Sequence, residues 1–261
     1  MRSITRNWQQ EAYYLGADVR NFFVSIHKPT LWKILEPKIV EPWLKDLTWQ
    51  ILFHDPTVDY IAKSAPVAFA RVPGHKSLLK APSERGLPIG NLTSQFFANV
   101  YMNEMDQFVK HQLGHRYYYR YVDDLVILHQ SADRLNSDFS LMNQFLQDHL
   151  KLEFHPFKKQ LGLVHQGVDF VGFIHKPFRR YVRNRTLNKM KSTVNLWRKS
   201  RTKYSRFEIE RLRATMNSYL GMVKWGSTYK ARKSVGNKVQ SLFICPDEKY
   251  EKLVVPNYQK K

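Results

Sequence analysis

Two adjacent carboxylates, Asp123 and Asp124, lie between strand-like runs in the tetrapeptide Tyr121-Val122-Asp123-Asp124. The flanks, Tyr117 to Val122 and Leu125 to His129, are aromatic and β-branched, and such residues favour strands. A two-residue connection between strands normally takes Asn-Gly or Asp-Gly, because positive φ is needed there. Asp-Asp is a poor pair by that standard, and it sets two like charges side by side. A solvated acidic hairpin tip is the bland reading. The chemical reading is a divalent cation, since Mg²⁺ is a hard ion that takes carboxylate oxygens together with substrate phosphates. A third carboxylate is available: the strand-like run Tyr13 to Val19 ends at Asp18, 105 residues before Asp123. Paired side by side, the two strands would bring Asp18 next to Asp123 and Asp124. Three convergent carboxylates suit two Mg²⁺ ions about 3.5–4 Å apart, one activating an attacking hydroxyl and the other holding the phosphates of substrate and leaving group. Catalysis of that kind is mostly positioning and charge neutralisation, and needs no assigned general base. None of the ten histidines has a convincing partner. His111 and His115 share helical i,i+4 spacing but lack a third ligand, so they read as surface residues.

The elements that must position these carboxylates follow from apolar periodicity. Leu31, Ile34 and Leu35, then Trp43, Leu47 and Ile51, have helical spacing over Thr30 to Phe53. Pro37 and Pro42 interrupt that stretch, which predicts two helices. Asp55 to Arg85 carries Pro56, Pro66, Pro73, Gly74 and Pro82 and reads as a long loop. Gly86 to Gly90 is a Gly/Pro-punctuated turn. A helix from about Thr93 to Leu113 follows, with Gly114 as its stop. Leu135 to Leu150 reads as an amphipathic helix. Lys158 to Leu163 and Val168 to Ile174 read as strands, with Gly172 inside the second, and from Asn188 onward the pattern is helical and basic. Antiparallel strands with helices segregated to one face make an α+β domain.

Composition narrows the function classes. The 261 residues suffice for one large domain or two small ones, and 43% hydrophobic residues support real cores. There is no apolar run of transmembrane length, and Met1 to Trp8 lacks the apolar region of a signal peptide. The single cysteine, Cys245, excludes an internal disulfide and accords with a reducing compartment, so a cytoplasmic location is expected. Net charge is +20, and its placement is lopsided. Met1 to His175 carries 19 Lys+Arg against 17 Asp+Glu, whereas Lys176 to Lys261 carries 23 against 5. In the basic third, Trp197, Tyr204, Phe207, Tyr219, Trp225 and Tyr229 are interleaved with the cations. That mixture suits a nucleic-acid backbone with base or sugar stacking.

Five segments resemble the motifs of reverse transcriptases, in the family's order. Ala17-Asp18-Val19-Arg20-Asn21-Phe22-Phe23-Val24-Ser25-Ile26 resembles motif A, and Arg85-Gly86-Leu87-Pro88-Ile89-Gly90-Asn91-Leu92-Thr93-Ser94-Gln95 resembles motif B. Tyr121-Val122-Asp123-Asp124 (the YVDD sequence) resembles motif C, His155-Pro156-Phe157-Lys158 motif D, and Phe170-Val171-Gly172-Phe173 motif E, the primer grip. The resemblance implies a right-hand polymerase palm with residual fingers elements over 1–175 and a basic helical thumb over 176–261. Within the family, Ile89 stands where most members have Gln, and Ser94-Gln95 where most have Ser-Pro. Ile89-Gly90-Asn91-Leu92-Thr93-Ser94-Gln95 is similar to the enzymes of diversity-generating retroelements, which copy a template-repeat RNA with errors at adenines. Gly167 to Gly172 and Asn184-Arg185-Thr186 also fit that subgroup.

The resemblance implies that Asp18, Asp123, Asp124 and the Val19 carbonyl bind two Mg²⁺ ions, with Mn²⁺ as a substitute. It implies a steric gate at Phe23 against a 2′-hydroxyl, and it implies that Lys158 protonates the pyrophosphate leaving group. Gly86, Ile89, Gly90, Gln95 and Tyr121 are placed with the substrate, and Phe170, Val171 and Gly172 with the primer. Implied partners are an RNA template, a DNA or RNA primer, dNTPs and a small basic accessory variability protein. Lys76, Lys80 and Arg85, in the loop before motif B, are further candidates for phosphate contacts. Motif A begins at Ala17, whereas family members carry a fingers region before it. The expectation is therefore a fragment or truncation, or fingers supplied by another chain. Rival readings are a retron-like, group II intron-like or defence-associated reverse transcriptase, and an RNA-binding remnant with little activity.

Overall fold

The structure is a computed structural model, and it describes residues 12–58, 60–63, 67, 71–200 and 204–255. The start of the chain, Met1 to Trp8, and Pro66 of the long loop lie outside the described residues. The described chain falls into two compact bodies divided after Gly162.

The first body begins with β1 (Tyr13–Asp18), followed by the short helix α1 (Phe22–Ser25) and by α2 (Lys28–Leu35). The N-cap of α2 is His27, whose ring nitrogen accepts the Thr30 N–H, and Pro29 sits in the first turn where no backbone donor is needed. A 3₁₀ turn at Glu36–Lys38 absorbs Pro37, and α3 (Pro42–Phe53) starts on Pro42. The two prolines thus act as expected, one ending a helix and one beginning the next. After the loop come α4 (Leu92–Gln107), a π-helical turn at Phe108–Gln112, β2 (Tyr118–Tyr121), β3 (Asp124–His129), α5 (Ala132–Leu150) and β4 (Gln160–Leu163). The sheet order is β2-β3-β1-β4, and both β2–β3 and β1–β3 are antiparallel.

Strand alternation places Leu15, Leu125 and Ile127 in the main core. They meet Tyr101, Met102 and Met105 of α4 and Met142 and Leu146 of α5, all buried. Each such side chain contributes roughly 1.5–3 kcal/mol by leaving water. Tyr101 donates its hydroxyl to the Leu150 carbonyl at 2.5 Å, tying α4 to the end of α5. Lys151 follows in the left-handed region (φ 52°) and stops α5. The α+β architecture is as expected.

The second body opens with a three-stranded antiparallel meander, β5 (Val168–Phe170), β6 (Phe173–Lys176) and β7 (Arg179–Val182). The predicted single strand over Val168 to Ile174 is in fact a hairpin. Val171 (φ 48°) and Gly172 (φ 81°) both have positive φ, the condition for a tight two-residue turn. Three helices follow, α6 (Asn184–Ser200), α7 (Arg206–Val223) and α8 (Tyr229–Lys238). A capping box between Ser205 and Glu208 starts α7. These elements enclose their own core, with Met190, Val194, Leu212, Met216 and Leu220 at its centre. The interleaved aromatics divide: Trp197, Tyr204 and Tyr219 are partly buried, Trp197 and Tyr204 against each other, while Phe207, Trp225 and Tyr229 are exposed. Cys245 is half-buried, and burial pushes its thiol pKa up, away from reactive thiolate. No described helix is long and apolar enough to cross a membrane.

Candidate active site

The register between β1 and β3 sets Asp18 directly opposite Asp124. Tyr121 of β2 pairs with Asp124 from the other side, so the turn is Val122-Asp123 rather than Asp123-Asp124. Val122 has φ 58°, whereas Asp123 has no positive φ. That sequence of signs belongs to the type II′ turn, whose first central position favours glycine. A β-branched residue held there stores roughly 1–3 kcal/mol. The Asp123 carbonyl accepts the Val19 N–H at 3.4 Å, which ties the turn to the end of β1.

The segment after α5 lies along the same strand end. The Asp18 carbonyl accepts from His155 N–H at 2.8 Å, and the Glu153 carbonyl accepts from Arg20 N–H at 2.9 Å. Lys158 is thereby delivered to the carboxylates, and its ammonium donates to the Asp18 carboxylate. The Asp18 side chain is 12% exposed and that of Lys158 is 56% exposed. The Asp18 hydrogen bond is the main cause of a Lys158 pKa raised above the ordinary lysine value. The Asp123 pKa is raised too, which for a carboxyl favours the neutral form. Burial, with the Asp18 and Asp124 charges behind it, pushes its pKa up to about 6, only partly offset by a backbone hydrogen bond. Asp18, Asp123 and Lys158 line a cavity of about 450 Å³, together with Lys76 from the long loop.

The turn before α4 docks on α1. Gly86 N–H donates to the Ile26 carbonyl at 2.9 Å and Leu87 N–H to the Phe23 carbonyl at 2.8 Å. Gly86 has φ 90°, and a Cβ there would lie 2.4 Å from Leu78 Cδ1. The end of the Leu78 side chain can shift, so it is the positive φ that favours glycine at this position. Gly90 also has positive φ but faces open space. Phe22 is buried, as expected of a core residue, and Phe23 packs edge-on against it at 5.5 Å, partly buried. Ile89 is 78% exposed at the tip of the turn, and Gln95 and Tyr121 are exposed as well. Arg85 is occupied: it donates to the Ser25 carbonyl at 3.1 Å and the Lys151 carbonyl at 3.2 Å. Arg85 and Lys80 line a neighbouring cavity of about 550 Å³. Phe170, Val171 and Gly172 belong to the second body, at the β5–β6 turn, where a Cβ on Gly172 would press on Met222.

Two polar groupings, one part-buried and one buried, were not evident in the sequence. Arg120 makes a bidentate pair with Asp106 of α4, Nε to Oδ1 and NH2 to Oδ2, both at 2.7 Å. Its NH1 donates to the Val122 carbonyl at 2.9 Å and to Asn99 Oδ1 at 3.2 Å. The available signal was an Arg inside an otherwise aromatic strand and an Asp on a core-facing helix. His115 is the second: it is buried, not a surface residue, and pairs with buried Asp138 at 2.8 Å. Arg134 completes that group at 2.6 Å from Asp138.

The donor chemistry at Asp18, Asp123 and Asp124 fits a hard divalent ion. The ligand set is not preassembled, however. Among the described residues no group of three or more His, Cys, Asp or Glu side chains is arranged to hold a metal.

A family model described as reverse transcriptase (RNA-dependent DNA polymerase) matches residues 1–175. No curated protein matches the chain. Similar solved structures include telomerase from Candida albicans in complex with a fragment of telomeric RNA, at 12% identity and TM-score 0.44. Apo telomerase from Candida tropicalis is similar at 13% identity and TM-score 0.46. Each comparison covers 88% of this chain, which spans 41% and 44% of those chains.

Proposed function

The chain belongs to the reverse transcriptase (RNA-dependent DNA polymerase) family, and from that premise we propose that it adds dNTPs to a DNA or RNA primer on an RNA template. The observation that carries this reading is Asp18 set opposite Asp124, with Asp123 at the adjoining turn and its pKa raised to about 6. Asp18, Asp123, Asp124 and the Val19 carbonyl are the groups that would hold Mg²⁺, or Mn²⁺ in its place. When bound, such ions lower the pKa of an attacking hydroxyl and neutralise phosphate charge.

The chain's own residues do the rest. Lys158, paired with Asp18, would give a proton toward the pyrophosphate leaving group. Phe23, half-buried against Phe22, serves as the wall under the sugar that disfavours a 2′-hydroxyl. Gly86, Ile89, Gly90, Gln95 and Tyr121 contact the nascent pair and template. In this reading 1–175 is the palm, with Phe170, Val171 and Gly172 gripping the primer. The thumb, 176–261, tracks the duplex by phosphate contacts without reading sequence.

The finer assignment is error-prone copying of template-repeat RNA in a diversity-generating retroelement, with a small basic accessory protein as partner. Exposed Ile89 supports it, because an apolar side chain there offers no amide to check the nascent pair. Primer extension on an RNA template with Mg²⁺ tests the activity. Wild type should extend, and Asp18→Ala and Asp123→Ala should not. Tight RNA binding without extension by wild type would favour the binding remnant instead. Sequencing the products tests the subtype: errors concentrated at template adenines support it, and evenly distributed errors refute it.

A further inference from the structure

Val122 adopts φ 58°, a conformation that its own β-branched side chain disfavours, and it does so immediately before Asp123. Nothing local supplies the missing support, because the turn contains no glycine or asparagine. The support comes from Arg120, two residues back on β2. Its guanidinium is planar and offers five donors in fixed directions. Two of them engage both oxygens of Asp106, which fixes the plane. NH1 then points at the Val122 carbonyl and Asn99 Oδ1. Asp106 is itself held by the Tyr118 hydroxyl at 2.6 Å. The Arg120 side chain is only 10% exposed, and its bonds to Asp106 and Val122 are part-buried, whereas the bond to Asn99 is exposed. Asp106 and Asn99 both lie on α4, the helix that begins directly after the Gly86 to Gly90 turn.

We propose that Arg120, anchored on α4 by Asp106 and Asn99, is a positioning residue that holds the Val122-Asp123 turn in the shape that sets Asp123 against Val19 and Asp18. The arrangement makes α4 the reference for the turn: Asp123 stays in place because Val122 is bonded to a guanidinium that cannot rotate. The catalytic consequence rests on the polymerase reading, whereas the clamp itself does not.

The Val19 amide reports on the turn directly, since it donates to the Asp123 carbonyl. In Arg120→Gln, hydrogen exchange at the Val19 amide should quicken roughly tenfold or more. Glycine adopts positive φ without strain, so adding Val122→Gly should return that exchange to within about threefold of wild type. Binding of Mn²⁺ alone is the second readout, with Asp123→Ala as the blank. It should weaken roughly tenfold in Arg120→Gln and recover with Val122→Gly. A merely structural staple between α4 and the sheet would lower thermal stability without rescue by Val122→Gly. Unchanged Val19 exchange in Arg120→Gln, or failure of that rescue, overturns the proposal. Should Arg120→Gln not fold, Arg120→Lys carries the same expectations, because one ammonium cannot span Asp106 and Val122 together. If wild type extends no primer but Val19 exchange behaves as stated, the clamp stands and the polymerase reading fails.

Discussion

Removing the charge of Asp123 should stabilise the metal-free protein, and the effect should depend on pH in one direction only. A carboxyl raised from its ordinary 3.8 to about 6 favours folding when protonated. The stabilisation from its protonated form is complete below about pH 4 and is lost as pH rises through about 6, where the charged form must sit beside Asp18 and Asp124. At full strength a rise of that size corresponds to ~3 kcal/mol. Solvent reaches the site, and screening reduces the figure to roughly 1–2 kcal/mol. Asp123→Asn, in chelator at pH 7.5, should therefore melt roughly 2–8 °C above wild type. At pH 4 the two proteins should coincide. Adding Mg²⁺ at pH 7.5 should raise the melting temperature of wild type and leave Asp123→Asn nearly unchanged, and the gain should vanish below about pH 5. Thermal melts of both proteins across pH 4–8, with chelator or with Mg²⁺, make the measurement. If Asp123→Asn is no more stable than wild type at pH 7.5 in chelator, or if the Mg²⁺ gain is the same at both ends of the range, the electrostatic account of this site is wrong.

Lys158→Gln should lower kcat of primer extension roughly tenfold or more while KM for dNTP changes little, because the ammonium acts on the leaving group; single-nucleotide kinetics separate the two constants. Ile89→Gln should lower misincorporation opposite template adenines, as read by product sequencing, and an unchanged error spectrum would remove the fidelity role of Ile89. Gly86→Ala should cost ~1–3 kcal/mol in urea unfolding, chiefly from the strained φ, since the end of Leu78 can shift. Gly90→Ala, facing open space, should cost only ~1 kcal/mol. His115→Leu should cost ~1–3 kcal/mol in the same assay, because buried Asp138 loses a hydrogen-bond partner.

Residue order alone determined the element types around the site: a strand ending at Asp18, paired strands flanking the two aspartates, helices broken at Pro37 and Pro42, and a glycine-punctuated turn before a long helix. These were legible because periodicity, proline and glycine act within a few residues. Residue types also suggested the chemistry, since adjacent carboxylates with a third nearby suit a hard divalent cation. Pairing decided the rest. That the turn is Val122-Asp123 follows from the register Asp18–Asp124 and Tyr121–Asp124, which no local pattern encodes. One strand over Val168 to Ile174 became a hairpin because Val171 joins Gly172 in positive φ. His115 is buried because Asp138 of α5 pairs with it, and Arg134 bonds the same carboxylate. Lys158 reaches Asp18, and Arg120 reaches Asp106, across separations that only folding closes. Local sequence fixes backbone preferences, whereas buried charges and strained turns are decided by whichever distant partner arrives to satisfy them.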